Sequence, residues 1–146
     1  MKKELVIVAK WEGEHDFQHL KSLIEKNISD IASFSYILWV KKVEKNVDLP
    51  EIKDVYYLTK KDFNLFRKLK NDKVRKCLEK TPNKALLIAV EKEFPALKRI
   101  LKNSNLLTIG MANEDLPDFD ISIQDTELKE GKFFKQLDYY LTKIQL

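Results

Sequence analysis

Residues 84–111, KALLIAVEKEFPALKRILKNSNLLTIGM, decide the fold. Residues 85–90 form an unbroken apolar run of the length a fully buried strand needs, and residues 106–109 predict a second strand. Between them Phe94, Leu97, Ile100 and Leu101 recur at helical spacing. Pro95 stands where a first helical turn tolerates it, and residues 103–105 end the segment. The stretch therefore predicts strand, helix, strand, which is a βαβ unit and implies an α/β fold. The turn after the first strand reads Glu91-Lys92-Glu93, with no glycine, serine or cysteine to cradle a phosphate or act as a nucleophile.

The same patterns extend outward. Residues 4–9 predict a first buried strand, and residues 16–26 a helix with Phe17, Leu20, Leu23 and Ile24 on one face. Residues 33–41 are rich in aromatic and β-branched side chains and predict a second strand, followed by a polar connection over 42–53 and a short strand over 55–58. Thr59 and Asp62 have capping-box spacing, which predicts a helix carrying Phe63, Phe66 and Leu69 along one stripe. A further helical piece carries Val74, Cys77 and Leu78, and Thr81-Pro82 ends it. A brief strand is expected over 119–123, and Gly131 precedes a final amphipathic helix.

Six strands alternating with four or five helices, with no repeat or glycine-serine linker, predict one three-layer domain over residues 1–146. Its sheet is expected to be mostly parallel, of about five or six strands, with helices on both faces and Rossmann-like or flavodoxin-like winding. The two most apolar strands, 4–9 and 85–90, are expected side by side at the centre. A ligand would then sit at their carboxyl ends, where the direction of winding reverses, among residues 10–16 and 91–94.

Composition excludes several classes. A chain of 146 residues can bury roughly 70% of its unfolded surface. With 44% hydrophobic and 34% charged residues it is globular in character, and no segment reaches the ~18 apolar residues of a membrane span. The N-terminal apolar run follows Glu4 and breaks at Lys10, so it reads as a strand and not an export signal. Cys77 is the one cysteine, which excludes an intrachain disulfide and suits a reducing cytoplasm. The formal charge of +4 is unevenly spread. Residues 60–80 hold nine Lys and Arg against three carboxylates, a net of +6, whereas residues 112–130 hold seven carboxylates against Lys129, a net of −6.

Few constellations carry chemistry. His15 and His19 share the four-residue spacing of two-histidine metal sites, but no glutamate stands in the HExxH position and no third histidine exists, so no metal is expected. Glu12, Glu14 and Asp16 occupy the positive end of the first helix and Gly13 is the loop's one glycine, which disfavours a phosphate-bearing cofactor; no cofactor is expected. The ligand-binding candidates are Lys10, Trp11, Glu12, His15 and Glu91, for a cationic or polar ligand that stacks on Trp11. No G-x-S-x-G elbow is present, Cys77 lies in an apolar helical stripe, and Asp118 and Asp120 suit a soluble edge better than an acid/base pair. The basic candidates are Lys60, Lys61, Arg67, Lys68, Lys70, Lys73, Arg75 and Lys76, which could contact nucleic-acid phosphates, although no DNA or RNA recognition motif accompanies them.

Two passages carry a family resemblance: Tyr57-Leu58-Thr59-Lys60-Lys61-Asp62-Phe63-Asn64, and the run from Ala85-Leu86-Leu87-Ile88 through Ile109-Gly110 and Asp120-Ile121-Ser122-Ile123 to Tyr140-Leu141. They resemble a family of short Bacteroidota α/β proteins known as a domain of unknown function, mainly over residues 55–146. Here Asn83-Lys84-Ala85 replaces the aspartate that usually opens the central strand of that family. The resemblance implies the fold and carries over no catalytic residue. The strand-helix-strand rhythm is also distantly similar to the N-terminal half of two-domain heptosyltransferase-type glycosyltransferases, a half that does not catalyse alone.

The expected function is that of a non-catalytic cytoplasmic protein acting through a protein partner or through self-association, with no membrane attachment. The alternatives are a small-molecule site or weak enzyme at the central strand ends, and nucleic-acid binding through residues 60–80.

Overall fold

The computed structural model describes residues 3–41, 49–63, 68–124 and 131–144. In chain order the elements are β1 (Lys3–Lys10), α1 (Glu14–Asn27), β2 (Ile31–Trp39), β3 (Val55–Leu58), a 3-10 turn (Lys60–Asp62), α2 (Asp72–Leu78), β4 (Lys84–Ile88), α3 (Leu97–Lys102), β5 (Leu107–Met111), β6 (Ile121–Ile123) and α4 (Lys132–Leu141). The strands form one parallel sheet in the order β3-β2-β1-β4-β5-β6. This is the doubly wound order of the Rossmann type, with β1 and β4 adjacent at the point where winding reverses. Val6 pairs with Ser35 on one side and Leu86 on the other, so β1 is central, as its apolar run predicts.

Alternation along the strands assigns the two faces. Tyr36 points toward α1, where the Phe17 ring meets it edge-on at 5.3 Å. The Ser29 backbone N–H and hydroxyl both donate to the Asp138 carboxylate (2.8 and 2.9 Å), which ties α4 beside α1 on that face. Ser33 and Ser35 point the other way, toward Lys73, Lys76 and Cys77 of α2. Trp39, on the same face as Ser35, stacks on Phe94 at the start of the α3 region. The result is three layers around one continuous apolar core. Each fully buried Leu or Ile in it contributes about 1.5–3 kcal/mol.

The segment after β3 differs from expectation. Thr59 and Asp62 do form the capping box, with the Thr59 N–H donating to the Asp62 carboxylate (2.8 Å). The box closes a single 3-10 turn, however, and Phe63 then bridges Leu69 in antiparallel fashion. The Lys70 N–H donates to the Asp62 carbonyl (2.6 Å), which completes the reversal. Both apolar side chains are buried this way, while a continued helix would crowd like charges at neighbouring turns. Phe66, expected on the same stripe, lies outside the described residues. The last strand is also shorter than expected: Phe119 precedes it and covers Gly110 instead of pairing.

Among the described residues, one polar atom of the core is unsatisfied. The Tyr36 hydroxyl is fully buried and has no hydrogen-bond partner among the described residues, and burial pushes its pKa far up, with Glu25 adding to the effect. An unpaired buried hydroxyl costs free energy that its removal returns. Tyr36→Phe is therefore expected to raise the unfolding free energy by about 1 kcal/mol in urea denaturation. A loss of stability of that size would show that the hydroxyl is satisfied.

Candidate functional site

At the carboxyl ends of β1 and β4 the chain leaves the sheet in opposite directions, and a crevice of about 320 Å³ opens between them. On one side the Trp11 N–H donates to the Trp39 carbonyl (2.9 Å), extending the β1–β2 ladder by one residue before the chain turns away. The turn is made at Gly13, where φ is +106° and ψ 162°. A Cβ there would meet nothing within 4 Å, so the requirement for glycine is conformational and not one of space. The Gly13 carbonyl then accepts the first helical bond of α1 from the Phe17 N–H (3.1 Å).

On the other side the Ala89 N–H donates to the Val8 carbonyl (2.8 Å), keeping Ala89 and Val90 level with the end of β1. The turn that follows is stitched to the loop after β5. Asn113 Nδ2 donates to the Glu91 carbonyl (2.9 Å), and the Glu93 N–H donates to the Asp115 carbonyl (3.1 Å). The Asn113 side-chain oxygen in turn accepts from the Asp115 N–H (2.8 Å). The expected acidic loop thus abuts the Glu91-Lys92-Glu93 turn and holds its backbone.

Ala9, Ala89 and Val90 floor the crevice, Phe17 and Leu20 of α1 form an apolar wall, and Lys10, Glu12, Asp16, Glu91 and Lys92 rim it. The hollow has room because Ala9, near the end of β1, and Ala89, just past β4, follow the larger Val8 and Ile88 of the paired strands. Three carboxylates face two ammonium groups, and Glu14 and Asp16 occupy the first turn of α1. None of the lining residues is Ser, Thr, Cys or His. Such a site suits recognition of a cationic or zwitterionic group with an apolar body.

Of the candidates read from sequence, Lys10, Glu12 and Glu91 come together at this crevice. Trp11 does not line it. Its ring packs between Phe17 (6.0 Å) and Tyr57 (5.4 Å, edge-on), and the Tyr57 hydroxyl is anchored on the Pro50 carbonyl (2.6 Å). Burial, with Glu14 adding to it, raises the Tyr57 pKa. Trp11 therefore covers the sheet beside the crevice and offers no stacking platform inside it. His15 is exposed on α1 and is not a lining residue. Among the described residues no three His, Cys, Asp or Glu side chains gather as metal ligands would.

Phe17, Leu20, Val90 and the two alanines lie outside the ranges 10–16 and 91–94 expected from sequence. The matched alanines at the ends of adjacent strands are the signal that could have found them. Asp120, expected at a soluble edge, has a definite structural task. Its carboxylate accepts from the Thr108 N–H (2.8 Å) and hydroxyl (3.1 Å), closing the start of β5 before β6 takes over the pairing.

The basic segment does not form one helix face. Lys60 and Lys61 sit on the 3-10 turn, Lys68 and Lys70 flank the bridged Leu69, and Lys73, Arg75 and Lys76 sit on α2; all are exposed. Arg67 lies outside the described residues. Arg75 pairs with Asp72 at 3.4 Å, an exposed contact worth little. Cys77 is half-buried, and burial is the main influence raising its thiol pKa.

A family model described only as a family of unknown function, DUF6913, matches residues 2–144. The match extends well beyond the resemblance over residues 55–146. No curated protein and no solved structure matches the chain.

Proposed function

The chain belongs to this family of unknown function, and from that premise we propose that it is a non-catalytic binding domain whose ligand site is the crevice between β1 and β4. One observation carries the reading: the alanine-floored hollow lies at the topological switch point, where open α/β sheets bind their ligands. The ligand is small, cationic or zwitterionic at one end and apolar at the other, matching Glu12, Asp16 and Glu91 against the wall of Phe17 and Leu20. The carboxylates oppose a phosphate. The proposed setting is a reducing cytoplasm; no helix among the described residues is long and apolar enough to cross a membrane.

The test is a thermal-shift panel of small amines, amino acids, sugars and nucleotides on the wild type and on Ala89→Leu, which fills the floor. A ligand present at 100 times its Kd stabilises by about 2.7 kcal/mol. Amines or amino acids should raise the melting temperature of the wild type, nucleotides should not, and the gain should vanish in Ala89→Leu. Stabilisation that survives in a folded Ala89→Leu variant, or comes from nucleotides alone, contradicts the proposal.

A second reading, action through a protein partner or a second copy, is favoured by Tyr139 and Tyr140 on α4, which are 56% and 43% exposed. Their rings meet edge-on at 5.6 Å, and the Lys143 ammonium lies 4.1 Å from the Tyr139 centroid. Exposed tyrosines of this kind serve as interface anchors. Sedimentation of the wild type and of a Tyr139→Ser, Tyr140→Ser variant tests it; a concentration-independent monomer in both excludes self-association.

A further inference from the structure

A second hollow, of about 250 Å³, lies at the opposite end of the sheet, beneath α2 and beside the first residues of β1, β2 and β4. Beside Glu4 and Val6 of β1, β2 presents the exposed Ser33 and the half-buried Ser35, and β3 contributes Tyr56. Neither serine hydroxyl bonds to another described residue. α2 is seven residues long and directs Lys73 and Lys76 over the hollow, while Lys84 rises from the start of β4. The Lys84 ammonium donates to the Lys76 carbonyl (3.3 Å), which fixes it at the rim. It also faces Cys77, where it opposes the upward push of burial on the thiol. Glu4 is the carboxylate among the lining residues, against three ammonium groups.

We propose that this hollow is an anion site for a phosphate or a compact phosphomonoester, held by Lys73, Lys76 and Lys84 and by the Ser33 and Ser35 hydroxyls. Three cations lining one hollow with two hydroxyl donors match the charge and the several acceptor oxygens of a phosphoryl group. The size agrees: the hollow falls below the roughly 300–1,000 Å³ of pockets for drug-sized ligands. A nucleic-acid track would need an extended groove, whereas here Lys73, Lys76 and Lys84 line one small hollow. The site is independent of the crevice above, whose carboxylates select the opposite charge.

The experiment is a titration of the full chain with inorganic phosphate and, separately, glycerol 3-phosphate, followed by amide NMR at constant ionic strength. Saturable shifts centred on Ser33, Ser35, Lys76 and Lys84 are expected. Lys73→Gln combined with Lys84→Gln should weaken binding about tenfold, and Ser35→Ala should weaken it less. Lys98→Gln with Lys102→Gln, on α3, should leave it unchanged. Shifts that never saturate, shifts that chloride reproduces, or undiminished binding by the folded double variant and by Ser35→Ala would each overturn the proposal. So would a single-stranded oligonucleotide that binds more tightly than phosphate and shifts Lys60, Lys61 and Lys68 most, which would make the segment a nucleic-acid surface.

Discussion

Phe133→Ala is expected to lower the unfolding free energy by about 3–5 kcal/mol. Phe133 and Phe134 are both fully buried, with their rings edge-on at 5.2 Å, and they stand at the start of α4. Truncation removes the ring's transfer free energy and leaves a cavity between α4 and the sheet that rigid neighbours such as Phe134 and Leu137 fill only in part. Native domains are stable by about 5–15 kcal/mol, so this one change takes a large part of the total. Chemical denaturation measures it, and a single transition shifted to lower denaturant is the expected form. A loss below about 1 kcal/mol would mean that α4 packs loosely and is not part of the same cooperative unit.

Gly110→Ala is expected to cost about 2 kcal/mol although it adds only a methyl group. A Cβ at Gly110 would fall far inside van der Waals contact with Cδ2 and Cε2 of the Phe119 ring and would stand 3.0 Å from Cζ. Gly110 is buried in β5 between Ile88 of β4 and Ser122 of β6, so the backbone has no room to retreat. The ring must move instead, and it is the lid over this end of the sheet. Phe119→Leu in the Gly110→Ala background should recover part of the loss. The coupling between the two sites in a double-mutant cycle should exceed about 0.5 kcal/mol, and strict additivity would contradict the contact.

That pair shows where sequence reading stops. The Ile109-Gly110 ending is visible as a motif, but its reason lies in a ring from the loop before β6. By contrast, the central position of β1 and β4 was legible, because strands buried on both faces read as near-continuous apolar runs, as residues 5–9 and 85–90 do. From that position the switch point and the crevice location followed. The capping box of Thr59 and Asp62 was legible because its chemistry is local. What it opened was not, since the return of Leu69 to Phe63 depends on the burial of both side chains against the rest of the fold. Trp11 was misplaced for a similar reason. Its position beside residues 12–16 suggested a ligand platform, but Tyr57 on β3, two strands away, claims the ring. The phosphate site beneath α2 was hidden because its serines, tyrosine and lysines come from four separate elements.

The central claim is that the switch-point crevice receives a small cationic or zwitterionic ligand. The most direct measurement is amide NMR mapping of whichever compound stabilises the protein best in the thermal-shift panel. The account predicts saturable shifts at Ala9, Lys10, Glu12 and Asp16 together with Ala89, Val90 and Glu91, abolished by Ala89→Leu. Shifts centred elsewhere, with the residues of the crevice unmoved, would contradict it.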